Sequence, residues 1–482
     1  MNDPTSKKPL SKPGHSAGVC IILFFAFVFT LLAHSQETER PNIILIFCDD
    51  LGYGDLGVYG SKVNRTPRID GLAEEGIVFT DFYSSSPVCT PSRASLLTGC
   101  YARRVDMHED QTGHWVLIPR SVRGLNPKEL TIAEALKSVG YATACIGKWH
   151  LGDQPDHLPT RHGFDTHYGI PYSNDMQQAK RGDPPLPLVR QETVFEAPAD
   201  QSTLTQRYTQ EAIKFIEANR ENPFFLYLPH TFPHLPLFAS PAFKDKSANG
   251  RYGDSVEEID WSTAQILDTL DRLGIDQNTL VIFTSDNGSN GRNGGSNAPL
   301  AGRKGSTMEG GMRVPMIARW PERIPAASIC DELATTMDFL PTFCAITGAE
   351  GPALPIDGHD IQSLFYDQSY AQSPYKVLYY YRRRQLQAVR WGDWKYHLEL
   401  GQTHPNWTTP DILAEGRPAK LVNLASDLQE TTDLSDQHPD IVRRMKALAR
   451  EAIRKLGNDD VDGSLQRQSV DLTNSTAMTF EN

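Results

Sequence analysis

Four short apolar runs, each ending in polar residues capable of chemistry, constrain this 482-residue chain more than any other feature. Residues 42–48 run into Asp49-Asp50, and residues 280–284 run towards Asp286-Asn287. Residues 141–146 lead to Lys148 and His150, and residues 224–228 lead to His230 and His234. Each run is strand-length and nearly apolar on both faces, as expected of central strands covered by helices on either side. Helical stretches fall between them, at 130–139 with Thr131 as the cap and at 254–273. Strands alternating with helices predict an α/β fold with a large, mostly parallel central sheet flanked by helices. Such sheets bind ligands beyond the carboxyl ends of their strands, where all four runs place their polar residues.

Beyond about residue 372 the pattern changes. Stretches 377–381, 386–391 and 394–400 are short and β-rich, with a Gly392-Asp393 turn, and read as an antiparallel meander. A helix follows at 440–456, with apolar Ile441, Met445, Leu448, Ile453 and Leu456. The predicted organisation is a catalytic domain over 36–372 and a small α+β domain over 373–482. Its polar tail past about 458 is expected to be mobile. Residues 1–35 read as a signal peptide: Lys7, Lys8 and Lys12 precede an apolar run, and Ala33-His34-Ser35 offers a small-x-small cleavage site. An uncleaved anchor is the alternative, because the run approaches the ~18 residues needed to span a bilayer. Cleavage predicts a secreted or periplasmic protein without stable membrane association. A net charge of −12 argues against a nucleic-acid partner. Six cysteines remain beyond the leader, an even number that permits disulfides without assigning them.

Asp49, Asp50, Asp286 and Asn287 bring three carboxylates and an amide oxygen to the strand ends. Like charges at close range need compensation, and a hard divalent cation supplies it. Oxygen donors favour calcium or magnesium over zinc. Taken singly, either pair could instead cap a helix or turn. The stretch Cys89-Thr90-Pro91-Ser92-Arg93-Ala94-Ser95-Leu96-Leu97-Thr98-Gly99 places Cys89 at a helix N-terminus, where free N–H groups and the helix dipole favour an anion. Arg93 lies one turn on, with a planar fork suited to an anion.

This stretch resembles the signature of the type I sulfatases, whose cysteine is oxidised to formylglycine by a dedicated maturation enzyme. The segment from Gly140 through Lys148-Trp149-His150 resembles the family's second signature. The resemblance continues at Asp49-Asp50-Leu51-Gly52-Tyr53-Gly54, Gly169-Ile170-Pro171-Tyr172-Ser173, Thr284-Ser285-Asp286-Asn287-Gly288 and from Arg303-Lys304-Gly305 to Gly311. It spans residues 40–460 in the family's order and is strongest to the arylsulfatase A and N-acetylgalactosamine-6-sulfatase branch. It implies an alkaline-phosphatase-like fold and hydrolysis of sulfate monoesters, aryl or sugar. In a eukaryote it implies a lysosome-like compartment.

The same resemblance implies roles residue by residue. Cys89, as formylglycine, would be a hydrated aldehyde: one hydroxyl attacks sulfur and the other loses its proton so that sulfate is expelled. Asp49, Asp50, Asp286, Asn287 and the converted Cys89 would hold one calcium ion. Arg93, Lys148 and Lys304 would offset charge on the sulfate and the nucleophile. His150 would take the proton that triggers sulfate release, and Ser173 would hydrogen-bond near the substrate. His234 matches the leaving-group histidine by its spacing from Pro223 to Phe238, with His230 as the rival. Outside the resemblance, His108, His114, His157, His162 and His167 read as loop or packing histidines. Arg382-Arg383-Arg384 reads as a solvated charge run, with a grip on a polyanionic glycan as the alternative. Asn64, Asn406 and Asn474 begin glycosylation sequons.

Overall fold

The computed structural model describes residues 40–366, 371–401, 417–459 and 461–479. The leader over 1–35 and the Asn406 sequon lie outside the described residues. One ten-stranded sheet organises the fold. Its strands are β1 (Asn42–Cys48), β2 (Ile77–Phe79), β3 (Ala142–Ile146), β4 (Thr166–Gly169) and β5 (Leu188–Arg190), then β6 (Thr193–Glu196), β7 (Phe224–Pro229), β8 (Thr279–Ser285), β9 (Met316–Arg319) and β10 (Ser328–Cys330). Across the sheet they lie in the order β10-β2-β9-β8-β1-β7-β3-β4-β5-β6. The four apolar runs are the adjacent strands β8, β1, β7 and β3, all mutually parallel. Antiparallel pairs occur only towards the margins, at β8–β9, β9–β2, β4–β5 and β5–β6. The predicted mostly parallel sheet is therefore present where the chemistry sits.

The period of two explains why these strands are apolar throughout. Ile43, Leu45 and Phe47 enter one core, whereas Ile44, Ile46 and Cys48 enter the other. The first core is covered by α2 (Cys89–Thr98), α3 (Ile132–Lys137) and α6 (Phe339–Thr347). The second is covered by α1 (Pro67–Glu74), α4 (Leu204–Asn219) and α5 (Gly250–Leu273). Helix α3 opens on the expected cap: the Glu134 N–H donates to Thr131 Oγ1 at 3.2 Å while the Thr131 N–H donates to Glu134 Oε2 at 2.8 Å.

The C-terminal sheet is antiparallel in the order β11 (Leu378–Arg382), β12 (Gln385–Trp391), β13 (Trp394–His397) and β14 (Lys420–Asn423). Helix α7 (Pro439–Leu456) lies on it through Met445, Ala449, Ala452 and Leu456. The sequence did not mark β14, whose four residues are too few for a clear alternation. Lys395 on β13 ties the sheet to the large core, 2.9 Å from Glu309 and 3.1 Å from Glu430, all three fully buried.

Three expectations change. The tail past 458 is held rather than loose: Val470–Asp471 pairs with Arg123–Gly124, and Arg467 meets Glu129 at 2.6 Å. Backbone pairing and ion pairs hold it, and neither leaves an apolar periodicity to read. The Arg382 run is not a solvated face, because Arg382 is buried 5.7 Å from the Trp115 ring centroid while Arg383 and Arg384 pair with Glu109. All six described cysteines are buried free thiols.

Ile46→Ala, which opens a hole between the sheet and its second helical layer, should cost about 2–5 kcal/mol. Thr131→Ala, which removes only the cap of α3, should cost about 1 kcal/mol. Denaturant midpoints of the two variants check the order, and equal losses would contradict this account of the core.

Candidate active site

Parallel pairing in register brings the four strand ends together. Cys48 faces Ser285 across β1–β8, Phe47 faces Pro229 across β1–β7, and Cys145 faces Tyr227 across β3–β7. Asp50 has φ of +68°, a left-handed turn that aspartate tolerates. That turn lets consecutive carboxylates enter one site, although side chains in a strand alternate faces. The Asp50 N–H donates to Asp286 Oδ1 at 3.1 Å, and Asn287 Nδ2 donates to Asp50 Oδ1 at 2.8 Å. Gly147, just past β3, is a glycine from necessity: a Cβ there would stand 1.9 Å from the Pro229 carbonyl oxygen.

Cys89 is the first residue of α2, and all ten residues of that helix are buried. Its Sγ lies 3.3 Å from Asp49 Oδ1 and 3.6 Å from Lys304 Nζ. Burial, reinforced by the Asp49 charge, pushes the thiol pKa up, so the unmodified cysteine is a neutral and poor nucleophile. Arg93 donates to Asp286 Oδ2 at 2.8 Å and to the Lys148 carbonyl at 3.0 Å, with its guanidinium over Phe47. Lys148 Nζ pairs with Asp49 and donates to Ser173 Oγ at 3.3 Å. Lys304 Nζ lies 2.7 Å from Asp50 Oδ1.

Three carboxylates thus face three cations, with Lys304 the most exposed of the six. Burial alone would raise the Asp49 carboxyl, but Lys148 and the cations around it hold it well below the usual range. Asp286 moves the other way, raised by burial and by the Asp49 charge. Sequence reasoning asked for a metal to offset the carboxylates, yet Arg93, Lys148 and Lys304 already do so. The better sign of a cation is an orphan acceptor: Asn287 Oδ1 is buried with no hydrogen-bond donor. Ligand atoms of Asp49, Asp50, Cys89 and His234 also lie within 4.8 Å of one another. Both Asp286 oxygens already accept hydrogen bonds, but a carboxylate has lone pairs to spare for a further partner.

The two histidines have defined tautomers. His150 Nε2 is 2.9 Å from the Leu117 carbonyl, which can only accept, so Nε2 carries the hydrogen and the buried Nδ1 is a bare acceptor. Burial and then Lys148 depress its pKa well below the usual range and keep it neutral. The chain leaves the extended conformation before Lys148 and His150 act: β3 ends at Ile146, and His150 has φ of +62°. His234 Nε2 lies 3.8 Å from Asp50 Oδ2. Its rival His230 is fully buried, outside that cluster, with neither ring nitrogen hydrogen-bonded. Of the histidines read as loop or packing groups, His108, His157, His162 and His167 are buried, His162 5.7 Å from the Trp149 ring, whereas His114 is exposed.

Sequence reasoning missed the residues that support the site. Tyr252 on α5 donates to Asp55 at 2.5 Å, and its hydroxyl lies 3.3 Å from the Asp50 carbonyl. Thr90 joins two segments, donating to the His150 carbonyl at 3.0 Å and accepting from the Leu117 N–H at 3.2 Å. Asn174 accepts from His234 Nδ1 at 3.0 Å. Single polar residues between motifs carry no periodicity or spacing that could have marked them.

Comparison with known proteins identifies the family. The sulfatase family model matches residues 41–349, and that for the C-terminal region of aryl-sulfatase matches residues 373–473. Rattus norvegicus N-acetylgalactosamine-6-sulfatase is 40% identical over 378 residues, 75% of this chain and 72% of the relative. Homo sapiens arylsulfatase A is 37% identical over 462 residues, 88% of this chain and 90% of the relative. The crystal structure of Ps i-CgsB in complex with k-i-k-neocarrahexaose superposes with a TM-score of 0.72 at 31% identity, covering 86% of this chain and 92% of that one. With its strand-end carboxylates, helix-borne Cys89 and paired lysines set in a fold shared along most of its length, the chain belongs to the sulfatase family and hydrolyses sulfate esters.

Proposed function

We propose that the chain is a formylglycine- and calcium-dependent sulfatase acting on sulfated sugars, exported from the cell through its residues 1–35. The observation that carries this reading is the charge balance around Cys89. Three carboxylates and three cations cancel, so a bound divalent cation leaves two positive charges to be offset. A sulfate monoester brings one negative charge and an ionised nucleophile at position 89 brings the second. A phosphomonoester dianion would use both by itself, leaving the nucleophile's ionisation unsupported.

Asp49, Asp50, Asp286 and the orphan Asn287 Oδ1 would hold calcium, which supplies Lewis-acid polarisation of the sulfate oxygens. Formylglycine at position 89 supplies a hydrated-aldehyde nucleophile and replaces the one soft donor in the cluster with oxygen, which disfavours zinc. Lys148 and Lys304 would neutralise charge developing on the sulfate. Ser173, through Lys148, would sit beside the substrate. His150 Nδ1, a bare acceptor, would take a proton from position 89, and His234, once protonated to the imidazolium, would give one from Nε2 to the departing oxygen. The names of relatives that act on or bind sugars favour a sulfated glycan over an aryl sulfate. A turnover screen of sulfated mono- and oligosaccharides beside nitrophenyl sulfate tests this reading; activity confined to phosphate esters would sink it.

Conversion of Cys89 should appear by mass spectrometry of its tryptic peptide as loss of sulfur and two hydrogens and gain of one oxygen. Because the thiol is buried in the folded chain, conversion should require the maturation enzyme during synthesis. Folded thiol protein should resist it afterwards, and Cys89→Ser should fold without turning over. An active preparation with an intact thiol would refute the mechanism.

Asp286→Ala should abolish calcium binding, measured by metal analysis and calorimetry, along with activity. Unchanged turnover after exhaustive chelation, or stoichiometric zinc in the active protein, would replace the calcium assignment.

His234→Ala should slow sugar sulfates far more than nitrophenyl sulfate, whose leaving group departs without a proton; general acid help is worth about 10²–10⁴-fold. His150→Ala should slow both substrates alike, and His230→Ala neither. Leaving-group dependence in His230→Ala alone would exchange the two roles.

A further inference from the structure

The loop following β4 places Ser173 at Lys148 and, on the next residue, Asn174 at His234. The atoms around the Asn174 carboxamide can be assigned from chemistry alone. A carbonyl only accepts, so the atom 3.2 Å from the Pro236 carbonyl oxygen is Nδ2, which also donates to Gln201 Oε1 at 3.0 Å. Gln201 is fixed the same way, since its Nε2 donates to the Asn174 carbonyl at 3.0 Å. Asn174 Oδ1 is therefore the atom facing His234 Nδ1. The other neighbour of Nδ1 is the Leu235 carbonyl at 2.5 Å. Two acceptors require a hydrogen on Nδ1, leaving Nε2 as the nitrogen turned towards Asp50. Asn174 and Gln201 are both buried, so water does not compete for these bonds.

We infer that Asn174, locked by Gln201, is a positioning residue that clamps His234 at its ring and at the backbone two residues on, so that proton exchange occurs only at Nε2. The inference rests on the proposed role of His234 and adds what makes that role available. An imidazole free to flip would spend part of its time with the wrong nitrogen at the leaving group. Orienting partners of this kind are worth about 10–100-fold in activity where they have been removed.

The test compares variants on nitrophenyl sulfate and on the sugar sulfate that the wild type turns over fastest. Asn174→Leu should lower kcat on the sugar sulfate by about 10–100-fold with KM little changed, and leave nitrophenyl sulfate near wild type. Gln201→Leu should show the same selective loss in weaker form. Added to His234→Ala, Asn174→Leu should cost nothing more. Equal losses on both substrates, or a further loss in the double variant, would overturn the clamp. Nitrogen NMR of histidine-labelled wild-type protein, with His234 signals identified by their absence in His234→Ala, reads the clamp without catalysis. In the neutral ring the hydrogen should sit on Nδ1, and a neutral ring with its hydrogen on Nε2 overturns the inference. A hydrogen on Nδ1 together with no leaving-group dependence in His234→Ala would instead refute the proposed role of His234 and leave the clamp standing.

Discussion

Asp49, Asp286, Arg93 and Lys148 are wholly buried, and each charge is tolerated only because the others are present. Taking one partner from a buried pair typically costs about 3–5 kcal/mol, because the remaining charge has no water to solvate it. The site is accordingly interlocked. Arg93 holds Asp286 and the Lys148 carbonyl, Lys148 holds Asp49, and Asp286 holds the backbone of Asp50. None of these groups can be exchanged singly without disturbing the rest. Such rigidity is what a pre-arranged electrostatic site requires, since charges already in place need not reorganise as the reaction proceeds.

That interlocking explains the layout around it. A buried cluster of ions needs walls that keep water out, and the sheet and its two helical layers supply them. The C-terminal sheet completes the enclosure from a distance. Lys395 and Glu430 meet Glu309, five residues beyond Lys304, while Gln387 Oε1 accepts from Thr307 Oγ1 at 2.9 Å. The segment bearing Lys304 is thus anchored by residues that sequence reasoning assigned to a separate domain. The second sheet supports the site through these contacts.

The histidines show how little of a proton-transfer group lies in the residue itself. His150 and His234 have the same side chain, yet one presents bare Nδ1 and the other presents Nε2. A carbonyl from Leu117 fixes the first, and Asn174 with the Leu235 carbonyl fixes the second. His230, four residues before His234, is buried without a hydrogen bond to either nitrogen.

The sequence by itself determined the strands and where their chemistry ends. Strand-length runs apolar on both faces and alternating with helices fit central strands between two layers, and residues following them lie at one edge if the strands are parallel. It also determined the principal actors, since Cys89, Arg93, Lys148 and Asp286 sit in motifs with fixed local spacing. Only the tertiary structure decided what those actors face. Charge balance, the orphaned Asn287 oxygen, the choice of nitrogen on each histidine and the support from Asn174, Tyr252 and Lys395 all depend on contacts between residues far apart in the chain. Those contacts arise from strand register and loop closure, and neither leaves a local pattern in the sequence. The tail past residue 458 makes the same point at the surface: its polar composition predicts freedom, whereas a two-residue ladder and ion pairs with Arg123 and Glu129 hold it in place.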